Sequence, residues 1–178
     1  MRARALHTLF RFATTRAVLL ALGLALALLA GVMLLEQWRF VRDFQGDEAA
    51  VREAEGIVDG LAGVLVAAGV FLESRDAVRA IAYPGGAPMD TVEARVSEVC
   101  AQNGMGILLV GLLMEVGTLL IGLLKRVLDT HGLERAIFGA CAALTATTLL
   151  VRYDFVKDVA LTYRMARTPA APTRPRAH

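Results

Sequence analysis

The stretch MGILLVGLLMEVGTLLIGLL, residues 105–124, limits what this chain can fold into more than any other feature. A bilayer's hydrocarbon layer is about 30 Å thick, and a helix rising ~1.5 Å per residue needs about 20 apolar residues to cross it. Inside lipid every backbone N–H and C=O must be satisfied by the protein itself, so such a segment is predicted to be a membrane-spanning helix. One carboxylate, Glu115, lies close to its midpoint. A charge at that depth costs on the order of 3 kcal/mol, so Glu115 is expected to face protein or a water-filled cavity. Gly104, Gly111, Glu115, Thr118 and Gly122 recur at helical steps. That places the acid on a face of small residues suited to close helix packing.

Three further runs repeat the pattern: residues 17–35 and 136–151 hold no charge, and 57–72 hold only Asp59. Hydrophobic residues make up 56% of the 178-residue chain, more than a soluble domain carries, and the charges collect in the gaps between runs. The predicted fold is an all-α integral membrane protein. Its four transmembrane helices form two antiparallel hairpins in a bundle within a single domain, residues 1–165. Residues 166–178, with Pro169, Pro172 and Pro175 among arginines, have nothing to bury and are expected to be a disordered basic tail.

The first run follows Arg2, Arg4, Arg11 and Arg16, as a secretory signal would. It exceeds the ~7–15 residues of a signal core, however, and its Ala25-Leu26-Ala27 triplet lies inside the run, so it is read as an uncleaved span. Gly23, Ala27 and Gly31 form a ladder that invites a neighbouring helix. Residues 73–82 read as a continuation of the second helix into water, ended by Tyr83-Pro84-Gly85-Gly86-Ala87-Pro88. Asp90 then starts a new helix, with Glu93 spaced to reach back to it. Residues 90–102 either lie on the membrane surface or prolong the third span, and Asn103-Gly104 is a candidate kink. Residues 152–165 continue the fourth span as an amphipathic helix on the cytoplasmic side, with Phe155, Val156, Val159 and Tyr163 in its apolar positions.

Lys and Arg set the orientation. Thirteen lie on the side of the N-terminus, the second connection and the tail, against six on the other side. Both termini are therefore expected in the cytoplasm. The Arg-, Ala- and Gly-rich composition is compatible with a bacterium of high genomic GC, so the expected location is the plasma (bacterial inner) membrane. A net charge of +2 gives no reason to expect nucleic acid.

Several side chains stand out as candidates. Glu115 is either a proton or cation site or a packing residue. With it go Thr118 on its own helix, and Thr145 and Thr148 on the fourth, where Cys141, Thr145, Thr148 and Arg152 share a stripe. Thr145 is expected at the depth of Glu115 and is the candidate partner for it. Asp59 is expected to form an interfacial ion pair with Lys125 or Arg126. Arg164, Arg167, Arg174 and Arg176 are candidate contacts for anionic lipid headgroups.

Cys100 and Cys141 are too few and too far apart for a disulfide framework or a zinc knuckle. His7, His131 and His178 lie outside the runs, so no facing pair of histidines exists to hold haem, and no cofactor is expected. No phosphate loop, metal-protease or hydrolase motif is present. The sequence therefore points to a non-enzymatic structural or accessory subunit, associating in the bilayer with itself or with other membrane proteins. A proton or cation channel component built on Glu115 is the first alternative, and a lipid-active enzyme the second.

Overall fold

The computed structural model describes residues 15–43, 48–83, 91–124 and 133–167. Among them are five helices: α1 (Arg16–Arg42), α2 (Glu48–Glu73), α3 (Arg75–Ala82), α4 (Thr91–Leu124) and α5 (Leu133–Arg167). All but α3 are long and apolar enough to cross a membrane. Each of the four extends past its apolar run. The 34 residues of α4 reach about 51 Å at helical rise, well beyond a hydrocarbon layer. Residues 91–102 are thus the first turns of α4 and not a separate surface helix. No break falls at position 103. Asn103 Nδ2 donates to the Val99 carbonyl at 2.9 Å, within the helix.

Gly104 is needed for a different reason. A Cβ there would stand 2.7 Å from the Glu73 backbone nitrogen and 2.8 Å from the Gly69 carbonyl oxygen. One at Gly69 would meet the Leu108 nitrogen at 2.7 Å, and one at Gly111 the Val66 and Ala62 backbones at 3.0 Å. Backbone thus rests on backbone along this seam, and α2 packs more extensively on α4 than any other two helices pack. As position on α4 rises from 104 to 111 to 118, its α2 neighbour falls from Glu73 to Val66 to Asp59, so the two run antiparallel.

The remaining contacts place α1 on α5 and α4 on α5, both antiparallel by the same test. Gly23 lies against Phe155, and Phe40 stacks edge-on to Phe138 with ring centroids 4.8 Å apart. Gly117 approaches Cys141 while Thr145 reaches Met114. By contrast α1 and α2 touch only weakly. The pairing of the first two spans as one packed hairpin is therefore corrected: α1 rests on the last helix and α2 on the third. Small residues decide this, since Gly69, Gly104 and Gly111 allow a close approach that the α1–α2 pair does not have. Of the expected α1 ladder, Gly23 receives Phe155 and Val156 at 3.4 Å, whereas Gly31 has nothing within 4 Å.

The core is a column of buried side chains that includes Leu19, Val58, Leu65, Leu72, Ile107, Met114, Ile121, Phe138 and Phe155. On α4 one line of buried residues runs through Cys100, Gly104, Ile107, Gly111, Met114 and Ile121, with half-buried Thr118 between the last two. Their steps alternate between four and three, the spacing with which one helix keeps a single seam against its neighbours. The outward side of α4 is Met105, Leu109, Leu113, Val116, Leu120 and Leu123.

Beyond Glu73 the chain stays helical, as expected: Ser74 interrupts it for one residue, and α3 continues antiparallel along α4, Arg75 facing Ser97 and Arg79 facing Glu93, with Arg75 and Ala82 buried. At its C-terminal end α5 continues to Arg167, so residues 166–167 are helical; residues 168–178 lie outside the described residues. The amphipathic pattern of α5 is visible in the burial of Phe155 and Val159.

Candidate functional site

The seam on α4 decides where Glu115 points. Met114 continues the buried repeat after Gly111, and the next residue is rotated by about 100°. Glu115 is therefore exposed, beside Leu112 and Leu119, which are 43% and 63% exposed. Among the described residues its carboxylate makes no hydrogen bond or ion pair. Glu115 is expected to face protein or a water-filled cavity, and the interior of this chain does not supply that protein. Its glycine neighbours Gly104 and Gly111 are buried against α2, but the stripe drawn through them drifted one position outward. Gly122 at its far end is exposed.

Thr145 is consequently not the partner of Glu115. It is fully buried, with Oγ1 3.0 Å from Gln37 Oε1, 2.9 Å from the Cys141 carbonyl oxygen and 3.9 Å from Met114 Sδ. A hydroxyl has one proton to give. Both neighbours are satisfied when Thr145 donates to the Cys141 carbonyl and the Gln37 amide is turned so that its Nε2, otherwise without a partner, donates to Thr145. Thr148 is also buried and donates to the Leu144 carbonyl at 3.1 Å. Cys141 and Arg152 complete a stripe of four buried residues on α5. Gln37 was not singled out in the sequence, although a signal existed: Leu19, Gly23, Leu26, Ala30 and Gln37 fall on one seam of α1, and all five are buried.

Asp59 and Thr118 do come together. Thr118 Oγ1 lies 2.9 Å from the Glu115 carbonyl oxygen and 3.4 Å from Asp59 Oδ1. An open groove of about 650 Å³ runs beside them between α2 and α4, lined by Arg52, Glu55, Asp59, Thr118 and Gly122 among others. Lys125 and Arg126, the expected partners of Asp59, lie outside the described residues, as do Arg174 and Arg176. Arg164 is exposed on α5, and Arg167 is that helix's last residue.

The most polar part of the interior was not foreseen. Arg75, only 2% exposed, donates through Nη1 to Ser97 Oγ at 3.0 Å and through Nη2 to Glu93 Oε2 at 3.1 Å. Arg79 Nη1 donates to the same Glu93 oxygen at 3.2 Å, and Ser97 donates to Asp76. These bonds hold α3 on the first turns of α4. Arg152 is 0% exposed, and among the described residues none of its three guanidinium nitrogens has a hydrogen-bond partner. Phe155, one turn along the same helix, presents its ring 5.6 Å from Arg152 Cζ. A ring face attracts a cation but leaves the five in-plane N–H donors unfilled.

Among the described residues no group of three or more His, Cys, Asp or Glu side chains is arranged to hold a metal ion. The chain matches no protein-family model, and no curated protein or solved structure matches it.

Proposed function

We propose that this protein is an integral membrane subunit of a larger assembly, without catalytic activity of its own. In this reading it is seated in the plasma membrane with both termini in the cytoplasm. The observation that carries the proposal is Glu115: a carboxylate without a partner, on the outward apolar face of α4. Left in acyl chains it costs on the order of 3 kcal/mol. Protein seated over that face removes the cost by supplying a hydrogen-bond donor or a cation. Leu112, Leu119 and their neighbours supply the packing surface around it. The test is native mass spectrometry of the chain extracted with its surrounding lipid. Recovery as an oligomer or with a second membrane protein supports the reading, and recovery as a bare monomer from every mild extraction removes it.

A second reading rests on the groove beside Thr118. Glu55 and Asp59 line it, and the Thr118 hydroxyl, which donates to the Glu115 carbonyl at 2.9 Å, lies 3.4 Å from Asp59 Oδ1. This supports a proton or cation conductor in which Glu115 relays charge. It requires pH-dependent flux in proteoliposomes that Glu115→Gln abolishes. Flux equal to that of empty liposomes rules it out.

A further inference from the structure

We infer that the interior around Arg152 is a binding site for a phosphate-type oxyanion, delivered free in solution or as the headgroup of an anionic lipid. Arg152 is sealed from solvent with Nε, Nη1 and Nη2 all unpartnered among the described residues. No described carboxylate is bonded to it, so its charge stands in excess.

An arginine does not escape this by losing its proton near neutral pH. A buried charge without a counter-charge is among the more costly arrangements a fold can hold. One oxyanion neutralises the excess and fills the fork of Arg152, whose parallel N–H groups match two oxygens of a phosphate. The Phe155 ring covers the guanidinium face, so the edge is the side left for the anion. Arg152 also lies close to the end of the apolar run 136–151, the level at which headgroup phosphates stand if the helices cross a bilayer. The inference does not depend on the subunit reading, since it concerns the interior of one chain.

The experiment is thermal unfolding of the full chain in nanodiscs. Uncharged-surface phosphatidylcholine discs are compared with and without inorganic phosphate at matched ionic strength, and phosphatidylglycerol discs are run without phosphate. The midpoint is expected to rise with at least one source: phosphate alone identifies a free anion, phosphatidylglycerol alone a lipid headgroup. Arg152→Gln is expected to bind about tenfold to a hundredfold more weakly, the loss that removing charge-assisted hydrogen bonds produces. Arg152→Met is expected to match or exceed the wild type without anion and to lose the increment. Should neither variant fold, native mass spectrometry of the wild type reads the retained phosphate or phosphatidylglycerol directly. A wild type whose midpoint moves with neither source, or a variant that responds as fully as the wild type, overturns the inference, as does a wild type that retains neither ligand.

Discussion

Glu115 and Arg152 both lack a bonded partner among the described residues, and they stand in opposite places. The acid lies on the outside of α4 amid exposed leucines, and the base lies inside, sealed between α5 and its neighbours. In a soluble protein an exposed acid would need no explanation and the buried base would be the anomaly. In the proposed membrane setting both are anomalies, because neither the outside nor the inside hydrates a charge. The difference lies in what can reach each one. Glu115 is open to a macromolecule that covers a helix face, whereas Arg152 is open only to something small enough to enter between side chains.

The contrast is tested most strongly by the buried cluster of paired charges between α3 and α4. Glu93→Leu removes the carboxylate that holds Arg75 and Arg79 and strands both, so a loss of about 3–5 kcal/mol is expected from unfolding in nanodiscs. A loss under 1 kcal/mol would mean that these arginines find other partners and that answered and unanswered charges are not energetically distinct. Next comes Glu115→Leu. The isolated chain should gain about 2.5–3.5 kcal/mol of insertion free energy, while its recovery in an assembly falls; unchanged assembly would show that Glu115 is not at the contact. Arg152→Met in anion-free protein should be neutral or gain about 1–4 kcal/mol, opposite in sign to Glu93→Leu. Destabilisation there would show that Arg152 is answered after all. The smallest effect belongs to Thr145→Val, which removes the link to Gln37 and should cost about 0.6 kcal/mol, the usual worth of an interhelical bond in a membrane. A cost above 2 kcal/mol would make that pair, and not the α3–α4 cluster, the main polar tie in the interior.

The reach of sequence reasoning can be judged residue by residue. Cys141, Thr145, Thr148 and Arg152 read as one stripe, and all four are buried. Spacing was enough there because each step is three or four and the face is wide. On α4 the same reasoning slipped by one residue: Gly111 to Glu115 and Gly111 to Met114 are both helical steps, and only the latter stays in the seam. Arg75 gave no local signal. Its partner Glu93 lies across the Pro-Gly segment, and the pair meets because α3 continues along the first turns of α4. Gln37 was passed over because it follows the first apolar run, although its seam extends to it.

By itself the sequence determined that four helices would be long and apolar enough to cross a bilayer, since this depends on composition summed along each segment and on the thickness any span must match. It also determined that a carboxylate would lie deep in one of them. Only the tertiary structure decided that α1 packs on α5 and α2 on α4, that Glu115 turns outward, and that Arg152 is sealed inside. Helical periodicity states which residues share a face, but the helix that arrives alongside selects which face is covered. Here that selection was made by backbone contact at Gly69, Gly104 and Gly111.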